Sequence, residues 1–579
     1  MDFALCYNYV PPFPWFELTR ASGFKLFVHP ETGRHAEWCA TKDGFALAYG
    51  TTCALSNITA WMADNPRSDT LSDAIGGGVA GVVVTQQAIF VFRDKLGLIP
   101  LVMIRNIDRQ CLIVTTSPDL TDTLSAGKPI HARWLAHYLC GHWDTSVEDV
   151  MTDVCRVLPG EVLCIRAGLV RRQKYWPKSS FFRPLDVKDT DEAVRMLRNA
   201  LVDAVGRIPQ KRQAVYTLSG GLDSGGIVAI SCAKQRQRDQ RLTAVSLISK
   251  KYPTCDESRE IGIMANALPI DVHLINMDAI QALSETEAYH MNAFGPVIMP
   301  GLETTLTLFR FIAQKWPDAQ IITGYGGNYL MALSVRAHAH DLLIRKDFSG
   351  LFQLLKTFDR HTLRMLMAEQ FSAMYDGKIR LTLKNALPAH FKRRLFASEN
   401  PCELGERWLK PAVALHAPGT SLQYSLAQER LYAVCSWNNE LCMRALDRIL
   451  RATRMEMYDP LFDPELYEVC ARLPASFYDL PGLERAGYRQ ALRPFLPKAI
   501  LDHPKIQNFN DVSRFDQNRE VQAYIDHVLN QRHQNVLDAF IQWDHLKKAW
   551  SRYTDPMTDW NAVSYDTRAL FWRSLSLCL

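Results

Sequence analysis

A chain of 579 residues with 47% apolar and 22% charged side chains can fill roughly two to four domain cores, which excludes disorder. Its net charge of +5 leaves no basic footprint for nucleic acid, and its fourteen cysteines lie singly with no C-x-x-C pair, indicating neither a zinc site nor a secreted disulfide framework. The opening MDFALCYNYVPPFPW has no basic start or long apolar core, and no membrane-length apolar run follows, so the expectation is a cytoplasmic protein without a membrane partner.

From residue 1 to about 185 the pattern predicts short strands at 23–29, 44–49, 79–84, 88–92, 101–104, 111–115 and 161–166. Tyr175-Trp176-Pro177 and the polar Lys178-Ser179-Ser180 mark an exit into a linker, and amphipathic helical spacing begins near Asp189, so a boundary is expected near 185. Strands at 214–218, 243–248, 271–275 and 320–323 are then separated by segments long enough for helices, which predicts a parallel sheet and an α/β fold class. Beyond about 335 the chain reads as almost entirely helical. Arg171-Arg172 and Lys392-Arg393-Arg394 read as solvated faces, and His338, His340 and Asp341 as surface groups with no further metal-ligand cluster beside them.

The segment Ser219-Gly220-Gly221-Leu222-Asp223-Ser224 falls between an apolar strand and an apolar helix. Gly220 and Gly221 let the backbone approach an anion, Ser219 and Ser224 offer hydroxyls, and the helix start supplies unpaired N–H groups. Asp223 is an acid within an anion nest, which points to Mg²⁺ between its carboxylate and a pyrophosphate; the plainer alternative is a helix cap.

This segment resembles the PP-loop of ATP pyrophosphatases, which leave AMP on an oxygen of the substrate. The resemblance widens to the asparagine synthetase superfamily over about residues 76–510. Arg93-Asp94, Gly97 and Pro100-Leu101 are similar to a signature of its glutaminase-type domain, with echoes at Thr115–Asp119, Val157–Gly160 and Tyr175-Trp176. In the second half, Cys255–Ser258 and Thr323-Gly324-Tyr325-Gly326-Gly327-Asn328 resemble its later ATP-site segments. The implied fold is an N-terminal degenerate glutaminase-like domain of Ntn-type αββα layering (1–185), followed by a PP-loop adenylating domain (186–579) with a parallel sheet and helical extension.

Departures from that superfamily narrow the expected activity. Position 2, where the family has its nucleophilic cysteine, is Asp2, and Cys6 reads as structural. Tyr325 replaces the acid between the glycines of the second phosphate motif. Loss of the nucleophile beside a kept adenylating half is the pattern of β-lactam synthetases and lasso-peptide macrolactam synthetases. The run Gly487–Arg493, Leu496–Ile500 and Lys505 is similar to the lasso cyclases, with Tyr458–Asp463 resembling an upstream family segment.

The resemblance implies ATP flanked by Leu218, Val245, Thr323 and Gly324, with pyrophosphate held by Ser219, Gly220, Gly221, Asp223 and Ser224. Mg²⁺ would sit on Asp223 and Asn328, where Asn328 replaces the family's acid and removes a charge. Weaker metal binding, compensation by another acid, or a non-catalytic paralogue are the alternatives. Lys505 is expected to meet charge at the reacting centre, unless it is a surface cation. Glu440 is a candidate to orient or deprotonate the amine, or else a helix-face partner of Arg444 at i,i+4. The substrate implied is a leader-cleaved precursor peptide, with a leader peptidase and a leader-recognition protein as partners; the alternative is a small-molecule substrate of β-lactam or asparagine synthetase type.

Overall fold

The computed structural model describes residues from 2 to 554; the longer stretches 64–70, 280–301, 357–424, 479–484, 504–522 and 531–537, several short connections, and 555–579 lie outside the described part. Strands β1 (Asp2–Tyr7), β2 (Phe16–Ala21), β3 (Phe24–His29), β4 (Ala36–Thr41), β5 (Gly44–Gly50) and β6 (Val79–Thr85) begin the first half. They are followed by β7 (Ile89–Phe92), β8 (Val102–Asn106), β9 (Cys111–Thr115), β10 (Val154–Arg156), β11 (Glu161–Arg166) and β12 (Leu169–Lys174). Antiparallel pairing sorts them into two sheets of order β10-β8-β9-β1-β3-β2 and β12-β11-β7-β6-β5-β4.

The strand period of two builds the layers. Phe3 and Leu5 of β1 face Leu47, Tyr49, Val82 and Val91 across the gap between the sheets. Ala4 and Cys6 turn to the opposite side, where Leu120 of the helix Pro118–Ser125 covers them. On the second sheet Ala46, Val83 and Phe90 meet Ile58 and Trp61 of the helix Leu55–Ala63. The order is helix, sheet, sheet, helix, the layering the resemblance implies. Arg172 is not simply solvated: from edge strand β12 it donates to both carboxylate oxygens of Glu161 on β11, at 2.8 and 2.6 Å.

The second half is built on β13 (Ala214–Thr217), β14 (Leu242–Ile248), β15 (Ile270–Asn276), β16 (Gln320–Ile322) and β17 (Glu456–Tyr458), all parallel, in the order β15-β14-β13-β16-β17. Val215, Val245 and Ile321 pack on one face against the helices Leu302–Lys315 and Trp437–Thr453. Tyr216, Ala244 and Ile322 pack on the other against Thr190–Gly206 and Leu222–Gln235. Successive strands are added on one side of β13 as far as β15 and then on its other side from β16, and the crevice beyond the carboxyl ends of strands at such a switch is where open α/β sheets bind ligands. The expected boundary at 185 falls between β12 and the helix that starts at Thr190.

The two halves are joined by a buried ion cluster, and this corrects the expectation for Glu440. Glu440 is 1% exposed and accepts from Arg93 at 2.7 Å and Arg444 at 3.0 Å, while Arg444 also grips Asp149 at 2.6 Å. Burial raises its pKa, but Arg93, Arg444 and Arg156 together outweigh burial and bring it down to about 2. A carboxylate held that firmly is a poor base, so the alternative of an Arg444 partner is the one observed, enlarged into a cross-domain anchor. Because its pKa is depressed on folding, the stabilisation is full above its ordinary 4.5 and is lost as pH falls towards 2. Glu440→Gln leaves buried guanidiniums uncompensated and should cost about 3–5 kcal/mol, read as a lower urea midpoint. A variant as stable as the parent that cannot turn over would instead restore a catalytic role.

Candidate active site

The segment Ser219–Ser224 lies directly beyond β13 at the switch point. Ser219 N–H donates to Ser224 Oγ at 3.0 Å, the two hydroxyls meet at 2.9 Å, and Gly221 N–H donates to Ser219 Oγ at 3.2 Å. The loop is thus a closed ring of short polar groups whose hydroxyls face outward. Gly220 is required by close packing: a Cβ there would lie 2.4 Å from Glu260 Cβ. Behind it, Glu257 accepts from the Gly220 N–H, and burial lifts its pKa to about 7. Glu260 pairs with His503 at 3.1 Å.

The second loop, after β16, packs backbone to backbone on the first. A Cβ on Gly324 would stand 2.9 Å from Ser224 N, and one on Gly327 only 2.2 Å from Asp223 Cγ. Asp459, just past β17, organises this loop, accepting from Thr323 Oγ1 at 3.1 Å and Gly326 N–H at 3.0 Å. Burial raises Asp459 to about 7 despite those hydrogen bonds. Its oxygens are committed to the loop, which makes it a scaffold for the site.

Asp223 and Asn328 converge on one cation, Arg485. Its Nη1 donates to the two Asp223 oxygens at 3.1 and 2.9 Å, and its Nη2 to Asn328 Oδ1 at 3.0 Å. Two oxygen donors within reach of one positive centre fit a hard divalent ion that completes its shell from phosphate and water. Asp223 is therefore an ion-pair partner, and the cap alternative has no hydrogen bond to support it among the described contacts of its helix.

Several expectations are placed differently. Leu218 N–H donates to Val245 O at 2.9 Å, so these residues are neighbours, but the Val245 side chain is sealed in the face with Val215 and Ile321 and is closed to a ligand. Thr323 is buried, with its hydroxyl engaged by Asp459. Tyr325 packs against both faces of core and meets Thr305 at 3.3 Å, turning away from the role of the acid it replaces. Asp341 is no free surface group, since it accepts from Ala475 N–H at 3.1 Å. Lys505 and the run 392–394 lie outside the described residues. Sequence reasoning missed Arg485, because its partners are 157 and 262 positions away and no local spacing announces them.

A ring of hydroxyls and N–H groups at the switch point of a parallel sheet, backed by a second glycine-rich loop, is an arrangement suited to holding a nucleotide's phosphates. The chain belongs to the asparagine synthase family, whose model matches residues 196–575, and it is an ATP-dependent amide-forming ligase. No curated protein matches the chain. Among solved structures it is similar to a glutamine phosphoribosylpyrophosphate amidotransferase from B. subtilis complexed with ADP and GMP, at 9% identity, over 44% of this chain and 67% of that one, with a TM-score of 0.17. Another is described as an allosteric regulatory enzyme of purine biosynthesis, at 12% identity, over 44% and 66%, with a TM-score of 0.18. The chain spans about two thirds of the length of each, and likenesses this distant carry no argument. Among the described residues no helix is long and apolar enough to cross a membrane.

Proposed function

We propose that this ligase is a lasso-peptide cyclase, joining a side-chain carboxylate of a leader-cleaved precursor peptide to the α-amine of the same peptide. The observation that supports the reading is the pairing of the Ser219–Ser224 ring with a first strand whose one thiol is closed off. The one thiol on β1, Cys6, is buried, and burial pushes its pKa up, which keeps it protonated. In this reading ammonia from glutamine is not the nitrogen donor, and the amine comes with the substrate.

In this reading the peptide's Asp or Glu carboxylate attacks the α-phosphorus of ATP. The bond to pyrophosphate breaks, and the Ser219 and Ser224 hydroxyls with the loop N–H groups hold the departing anion. The α-amine then attacks the activated carbonyl, loses a proton, and expels AMP, closing the lactam. A Mg²⁺ held by Asp223 and Asn328 would offset charge on the pyrophosphate. Holding amine and carbonyl in one folded peptide makes the second step intramolecular, which supplies much of its rate.

Two measurements test this. Pyrophosphate release from ATP should require a peptide bearing both a free α-amine and a side-chain carboxylate, with no glutamate formed from glutamine. Release driven equally by a small amino-acid derivative would assign the chain to the β-lactam or asparagine type. Lys505→Met should bind ATP near normally yet lose on the order of 100-fold or more in ring closure, as expected for a cation that meets transition-state charge. Closure at the parent rate would make Lys505 a surface residue.

A further inference from the structure

The guanidinium of Arg485 lies where a metal-site reading puts the cation. It spans the Asp223 carboxylate and the Asn328 amide through both terminal nitrogens, and its side chain is only 12% exposed. With an amide at 328, the two oxygen donors carry a single negative charge, which one guanidinium neutralises. A second observation is independent of the contacts. Arg485 has φ +56°, a left-handed conformation that a side chain bearing Cβ adopts at a cost, and such outliers persist where the surroundings over-determine them. Here Asp223 on the phosphate loop and Asn328 on the second loop fix the guanidinium against both.

We infer that Arg485 is a nucleotide-positioning residue that supplies a built-in positive charge to the pyrophosphate end of ATP, so that ATP binding persists without a divalent ion. The inference rests on the adenylating reading of the site and adds to it a residue and a metal dependence. Arginine suits the task because its planar fork can keep hold of a carboxylate while facing phosphate oxygens, and it stays charged at any working pH. The Asn at 328 then has a physical sense: an acid there would compete with phosphate for the same guanidinium.

The test titrates ATP into the full chain by calorimetry, once in EDTA and once with saturating Mg²⁺, for the parent, Arg485→Gln and Arg485→Lys. The parent should bind ATP in EDTA. Arg485→Gln should lose about tenfold or more of that metal-free affinity, as for a lost hydrogen bond to a charged group, and recover most of it with Mg²⁺. Arg485→Lys, which keeps charge without the fork, should fall between. A purely structural arginine would weaken both conditions alike. The inference is overturned if the parent binds only with Mg²⁺, or if Arg485→Gln matches the parent in EDTA while Mg²⁺-dependent binding is intact. Failure of the parent to bind ATP under either condition overturns the adenylating reading as well. Thermal melts accompany the titrations; if Arg485→Gln is unfolded, Arg485→Lys decides, with metal-free affinity equal to the parent counting against the inference.

Discussion

Asp223→Ala should reduce ATP–pyrophosphate exchange by on the order of 100-fold or more, the effect of removing a group that organises charge at a reacting phosphate. Three features of the site depend on this one carboxylate. It is the charged member of the only oxygen pair that converges on a cation among the described site residues, it anchors Arg485, and it fills the space against Gly327. The loop ring of Ser219, Gly221 and Ser224 does not involve it, so the protein should still fold. Exchange within tenfold of the parent at the same Mg²⁺ concentration would show that the carboxylate is a structural neighbour of the phosphate site and no more.

Gly327→Ala is expected to lower activity by displacing Asp223. Gly327 opens the short helix Gly327–Met331, so its helical backbone accepts alanine and the cost falls on the side chain that the new Cβ meets. The added Cβ, however, would stand 2.2 Å from Asp223 Cγ and 2.4 and 2.6 Å from its oxygens. Asp223 has one short side chain with which to escape, and escape carries its carboxylate off Arg485. Exchange should fall at least about tenfold, since a misplacement of an ångström at a reacting centre commonly costs that much or more. Parent-level exchange would count against the geometry described.

Features built from residues close together in the chain were legible in its sequence, and those built from distant ones were not. The ring Ser219–Ser224 was legible because strand, glycines, hydroxyls and helix follow one another within the chain, and the parallel strands β13 to β16 were legible from their apolar runs and helix-length spacing. Strand β1 was not, because residues 3–6 are all buried, one pair between the sheets and one beneath a helix, which erases the alternation that marks a strand. Strand β12 carries Arg171 and Arg172 on an exposed edge and reads as a solvated run until its pairing with β11 is seen. Strand β17 is three residues long, too short for any period. Glu440 illustrates the other limit: the i,i+4 partner Arg444 was visible, but Arg93 lies 347 positions away, and it is this long-range contact that converts a helix-face acid into an interdomain anchor.

In the proposed reaction the substrate's own amine closes an amide on a carboxylate activated by ATP. The decisive measurement is a mass spectrum of the chain incubated with ATP and a candidate leader-cleaved precursor peptide. A cyclase should yield a peptide product lighter by one water, formed without glutamine and only when the α-amine and the side-chain carboxylate are both free. A peptide recovered at unchanged mass while a small-molecule carboxylate is converted to its amide would contradict it.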